Sequence, residues 1–305
     1  MSPKLQTFFK RLLSTVILLA VLVGAYLWNH PYGYAALICA LCNLATVEWF
    51  RMLGEHKKES NRWLILTAGV VYPWVIAWQV VSPEPLAGAE LLELHESAEA
   101  LPVTLFAFKC LLGYALLAFV LELVRMDYRG LSAREALQSL GTTLVAFIFP
   151  VWMFSFALEA LLEFPFHVNM LLWLVIATKL SDIFAYVCGV LLGRRIIKRP
   201  FSPAVSPKKT WEGILGSFVL TAACAWWLYE LLGSAEIPAA LFFCLLMPGI
   251  FVLSVAGDLA GSLIKRGLGV KDSGSLLPGI GGIFDLIDSP AFTVAVFVGL
   301  LGIVG

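Results

Sequence analysis

The chain has 305 residues, of which 60% are hydrophobic and 14% charged, and its mean hydropathy is +0.88; ordinary soluble domains hold about 45–50% apolar and about 25% charged residues. That balance excludes a soluble enzyme and identifies an integral membrane protein. The formal net charge of zero names no partner by itself, and no nucleic-acid ligand is expected.

A membrane-crossing helix needs about 20 mostly apolar residues. In chain order such runs occupy residues 12–28, 32–50, 63–81, 103–124, 140–160, 168–192, 212–232, 238–257 and 289–304. The runs are continuous where a membrane barrel would alternate, so the predicted fold is all-α, a polytopic transmembrane helical bundle of about nine spans. The first run follows Lys4, Lys10 and Arg11 in the manner of a signal peptide. It has no clear small-residue cleavage site and is long enough to span, so it is read as a retained helix.

Of the 21 Lys and Arg residues, all but Lys109 and Lys179 fall in the N-terminus or in alternate loops, which a nine-span chain puts on one side. The opposite side has no base, and its loop from Ser82 to Pro102 carries Glu84, Glu90, Glu93, Glu96 and Glu99. By the positive-inside rule the N-terminus and the basic loops are cytoplasmic and the C-terminus is outside. Residues 1–165 read as N-terminal transmembrane helices, and residues 166–305 as a C-terminal transmembrane region carrying a polar site at its cytoplasmic side. The six cysteines lie in apolar runs; Cys39 and Cys42 have CxxC spacing but no second pair to complete a zinc site, so packing is their expected role.

Three polar patches interrupt the C-terminal region. In the sixth span, Lys179, Asp182 and Tyr186 stand three and four residues apart and share a helix face; either the charges neutralise each other or they mark a ligand path. In the following loop, Ser206 and Pro207 resemble an N-cap and first helical residue, which predicts a helix whose first turn holds Lys208, Lys209 and Thr210. Such a terminus is a phosphate site, or else its lysines anchor to anionic headgroups. The third patch runs from Gly257 to Ser289, with Asp258, Asp272, Asp285, Asp288, Lys265, Arg266 and Lys271 in 33 residues of otherwise greasy sequence. Asp258, Ser262 and Lys265 share a helix face, Gly267 and Gly269 break that helix, and Gly279, Gly281 and Gly282 allow close backbone approach to a ligand. Asp285 and Asp288, one turn apart, suit Mg²⁺; the alternative is a solvated acidic helix N-terminus. Acids for a metal, lysines for phosphates and a glycine loop at the membrane face together suit phosphoryl or nucleotidyl transfer.

The pattern SxxKRxxxxKDSGxLxPGxGGxxDxxDS, Ser262 to Ser289, resembles the signature of CDP-diacylglycerol synthases, also called phosphatidate cytidylyltransferases; SPKKTWEG, Ser206 to Gly213, and the Asp182–Tyr186 segment are similar to that family too. The resemblance covers roughly the last 130 residues, with the motifs in the same order, and a composite motif of this length is far more specific than a short pattern. It implies an Mg²⁺-dependent nucleotidyltransferase of phospholipid biosynthesis, turning CTP and phosphatidate into CDP-diacylglycerol and pyrophosphate. It further implies a bacterial inner-membrane location, a site facing the cytoplasm, the bilayer, CTP and phosphatidate as partners, and a second cation and a homodimer as open options. Asp258, Asp285 and Asp288 would surround the metal and, with Lys265, act in catalysis. Asp182, Tyr186, Ser206, Lys208, Lys209, Thr210, Ser262, Arg266, Lys271, Asp272, Gly281 and Gly282 would bind substrate. The chain departs from the family pattern at Ile280, usually His, and Leu286, usually Arg. A CTP-dependent polyprenol-type lipid kinase, a transporter and an inactive partner subunit are the competing readings.

Overall fold

The computed structural model describes residues 17, 20–21, 23–28, 30–54, 60–81, 103–160, 167–231, 239–278 and 281–304. Eight long helices, a helical stretch that ends at Trp28 and one hairpin make up these segments. Helix α1 (Pro31–Met52) opens with Pro31 after the His30 cap, where the missing N–H costs nothing. Helices α2 (Arg62–Val81) and α3 (Val103–Arg129) follow, and Gly130 ends α3 at φ 63°. Helix α4 (Ala133–Glu159) begins with a capping box between Ser132 and Glu135. It widens into a π turn at Ile148–Trp152, around Pro150, whose ring removes one hydrogen bond from the ladder. Helix α5 (His167–Leu192) leads into strands β1 (Pro200–Ser202) and β2 (Ser206–Thr210), then come α6 (Trp211–Leu231), α7 (Ala239–Gly267) and α8 (Ile283–Val304).

Among the described residues, seven helices, α1 to α7, are long and apolar enough to cross a membrane. The all-α polytopic architecture is therefore as expected. Residues 12–16, 18, 19 and 22 of the first run and the acidic loop from Ser82 to Pro102 lie outside the described residues. Two boundaries move: the fifth run starts earlier, at Ala133, and the last run is the continuation of a helix that begins at Ile283.

Helix α8 is the hub. It packs against α1, α4, α5 and α7, with Ile287, Ala291, Val294 and Val298 buried. Against α7 the approach is close: a side chain at Gly257 would come within 2.8 Å of the Asp288 carbonyl oxygen; small residues allow such approach between membrane helices. The first turns of α8 are thereby held inside the bundle, and its two acids with them. Cys39 and Cys42 are buried and free, in keeping with a packing role.

One expectation fails. No helix starts at Ser206: residues 206–210 form β2, antiparallel to β1, with Ser202 opposite Ser206 and Pro200 opposite Thr210. The cap lies four residues later, where the Thr210 hydroxyl oxygen accepts the Gly213 N–H at 3.1 Å. Both sites have cap chemistry, and tertiary contacts decide between them. Glu212 accepts the N–H groups of Ile196 and Ile197 at 2.9 and 2.7 Å, Arg194 donates to the Pro207 carbonyl at 2.9 Å, and Phe201 meets Trp211 edge to face. These bonds hold a hairpin that would be marginal by itself.

Candidate active site

At the end of the bundle where α5, β2, α7 and α8 meet, a cavity of about 560 Å³ is lined by Lys179, Asp182, Tyr186, Lys208, Lys209, Thr210, Asp258, Asp285, Leu286 and Asp288 among others. The sequence patches separated by up to about 100 residues thus share one wall. Lys208 and Lys209 enter from the strand, not from a helix terminus, so the predicted phosphate site at the first turn of a helix is corrected to a basic hairpin edge.

The acids and bases are paired around the wall. Lys179 Nζ lies 3.3 Å from Asp182 Oδ2 and 3.7 Å from Asp288 Oδ1; Lys209 pairs with Asp258; Lys265 bonds Asp285 and stands 3.7 Å from Asp288 Oδ2. Asp288, only 3% exposed, therefore has a lysine beside each oxygen. The Ser289 N–H also donates to its Oδ1 at 2.8 Å, while the Ser289 hydroxyl donates to Asp182 at 3.1 Å. Burying a carboxylate is tolerable only with such compensation.

Asp285 is held differently. Its Oδ2 accepts the Ser273 N–H at 3.1 Å, the Ser273 hydroxyl at 2.8 Å and the Gly282 N–H at 3.0 Å, leaving Oδ1 for Lys265. The bond to Gly282, just ahead of the helix, is one half of a capping box. A side chain at Gly281, where φ is 134°, would come within 2.6 Å of the same carboxylate oxygen. The loop glycines thus make room for an acid of the protein itself.

The remaining candidates lie apart from this wall. Ser206 begins β2 and Ser262 is half-buried on α7; neither lines the cavity. Arg266 is exposed and donates to the Val270 carbonyl at 3.2 Å, closing the end of α7. Lys271 and Asp272 are exposed in the loop before α8. Leu286 presents apolar surface to the cavity, and Ile280 falls outside the described residues.

One residue of the site escaped the sequence reading. Glu48, on α1, is fully buried; its Oε2 accepts the Ser273 hydroxyl at 3.1 Å and the Phe284 N–H at 2.9 Å. A signal existed, because an acid in the middle of an apolar run invites the same question as Lys179 or Asp182.

The oxygen donors of Asp258, Asp285 and Asp288 suit Mg²⁺. Among the described residues no group of three His, Cys, Asp or Glu side chains can hold an ion. The donor chemistry still fits an ion that takes one or two carboxylates and completes its shell with substrate phosphates. The ionic groups also balance: Asp182, Asp258, Asp285 and Asp288 are matched by Lys179, Lys208, Lys209 and the adjoining Lys265. A polyphosphate entering this wall must compete with carboxylates for the lysines or bring cations with it.

The chain matches the Cytidylyltransferase family over residues 9–304. A phosphatidate cytidylyltransferase of Pseudomonas aeruginosa is 31% identical over 297 residues, 97% of each chain, and one of Haemophilus influenzae is 29% identical over 294 residues, 94% of this chain and 96% of its own. One from Mycobacterium bovis is 44% identical over 118 residues, 38% of this chain and 35% of its own.

Proposed function

The chain belongs to the cytidylyltransferase family, and from that premise we infer that it is a phosphatidate cytidylyltransferase, converting CTP and phosphatidate into CDP-diacylglycerol and pyrophosphate. The observation that carries this reading is the single cavity in which lysines from β2 and α5 face carboxylates from α5, α7 and α8.

In the reaction a phosphatidate phosphate oxygen attacks the α-phosphorus of CTP, and the bond from that phosphorus to the bridging oxygen breaks as pyrophosphate leaves. The nucleophile is already anionic, so no strong general base is required. The chain supplies position and charge. Lys208 and Lys209, on a strand edge, receive the β- and γ-phosphates, and a phosphate that draws Lys209 away from Asp258 frees that carboxylate. One or two of Asp258, Asp285 and Asp288 would then hold Mg²⁺, with or without a second cation, and the metal when bound supplies Lewis acidity and neutralises charge on the leaving group. Lys265 keeps Asp285 and Asp288 in place from behind the wall.

The lipid substrate meets the opposite face of the cavity. Ile183, Tyr186 and Val190 line it and also belong to the exposed outer side of α5, Tyr186 at 68% exposure. That continuous apolar surface supports delivery of phosphatidate from the bilayer. Leu286 fits the same apolar side. The segregation of bases supports nine spans, a cytoplasmic N-terminus and an external C-terminus, and the bacterial relatives support an inner membrane, which gives the site access to cytosolic CTP.

The test uses purified protein, phosphatidate in detergent micelles, Mg²⁺ and CTP labelled at either the α- or the γ-phosphate. Label from the α-position in lipid, with γ-label in pyrophosphate, supports the reading. Transfer of γ-label to lipid makes the protein a CTP-dependent lipid kinase instead. Absence of labelled lipid beside an active control enzyme overturns the assignment.

A further inference from the structure

We propose that Glu48 is a positioning residue for the transfer reaction, setting from α1 the loop that presents Asp285 to Lys265. The proposal rests on the cytidylyltransferase reading. Glu48 is not among the residues lining the cavity, and it reaches the site through one oxygen. Oε2 accepts the Ser273 hydroxyl and the Phe284 N–H, the first from the loop and the second from the first turn of α8. Ser273 in turn donates its backbone N–H to Asp285 Oδ2, and its hydroxyl lies 2.8 Å from that oxygen. A single hydroxyl proton between two carboxylates ties the position of one to the other. From Asp285 the chain of contacts runs to Lys265, to Asp288, to Lys179 and to Asp182.

Packing fixes Glu48 against this loop from two sides. The Trp49 and Phe149 rings lie 5.7 and 5.3 Å from that of Phe284, so the start of α8 is seated on α1 and α4 by its ring and on Glu48 by its N–H. On the loop side, a methyl group at Gly274 would stand 2.7 Å from Glu48 Oε1 and 3.0 Å from its carboxyl carbon, so its nearest obstacle is that carboxylate. The glycine after Ser273 is therefore explained by Glu48. Oε1 makes no hydrogen bond among the described residues, so one acceptor oxygen does the positioning.

Three variants, each assayed for CDP-lipid formation beside wild type, test this. Glu48→Leu keeps the volume and removes the acceptor; kcat is expected to fall on the order of 100-fold, the cost of a misplaced catalytic group, with KM for CTP changed less than about 3-fold. Glu48→Gln keeps one acceptor oxygen and is expected to recover kcat to within about 10-fold of wild type, since a neutral acceptor replaces a charged one. Gly274→Ala is expected to lower kcat about 10-fold in the wild-type background and less than about 2-fold in a Glu48→Ala background, a coupling that independent sites do not show. Wild-type kcat in folded Glu48→Leu, additive Gly274 and Glu48 effects, or loss of folded protein in every Glu48 variant would each overturn the assignment, the last by making Glu48 a residue of global stability. A wild-type protein that forms no CDP-lipid would instead sink the underlying functional reading.

Discussion

Asp285 and Asp288 stand one helical turn apart and yet are held by opposite means. Asp285 is saturated by two N–H groups, a hydroxyl and Lys265, whereas Asp288 is buried between two lysines. Replacing Asp288 by Asn leaves Lys179 and Lys265 facing each other across a neutral group; breaking a buried pair costs about 3–5 kcal/mol. A lower unfolding temperature and a loss of activity of roughly 100-fold or more are expected, read by thermal melting and by CDP-lipid formation. Lys209→Ala removes the proposed phosphate partner and unpairs Asp258. It should raise KM for CTP about 10-fold with a smaller fall in kcat, and initial rates across a CTP titration decide this. At this scale the acids and lysines of the last third were legible, because charge in greasy sequence is costly and conspicuous. Glu48 met the same criterion but lay far from the motif, and its partners Ser273 and Phe284 are 225 and 236 residues away.

Helices were read with fewer errors than the short elements between them. A membrane helix satisfies its own backbone, so a long apolar run is enough to specify it. The hairpin at Pro200–Thr210 has no such autonomy: its residues include a good cap at Ser206 and another at Thr210, and the choice depends on bonds to Arg194, Ile196 and Ile197. Thr210→Ala removes the cap actually used, at a cost of about 1 kcal/mol. Because Lys208 and Lys209 precede it on β2, KM for CTP should also rise, whereas Ser206→Ala should leave the unfolding temperature nearly unchanged. Thermal melting of the two variants side by side distinguishes the observed hairpin from a helix beginning at Ser206.

At the scale of the molecule, the central helix α8 gathers the site by touching α1, α4, α5 and α7. Nine spans with a cytoplasmic N-terminus put its C-terminal end outside. A periplasm-active phosphatase fused after Gly305 should therefore be active, and a fluorescent protein fused there through the same export route should stay dark; the reverse pair of results overturns either the odd number of spans or the cytoplasmic N-terminus. The sequence alone determined the membrane class, the helical runs and the presence of a nucleotidyl-transfer motif, since hydropathy and charge act locally and survive in a linear reading. Only the tertiary structure decided which acid meets which lysine, where α6 begins and that Glu48 belongs to the site. Those outcomes depend on groups brought together across the chain, and a buried polar group takes its role from whichever partners satisfy it.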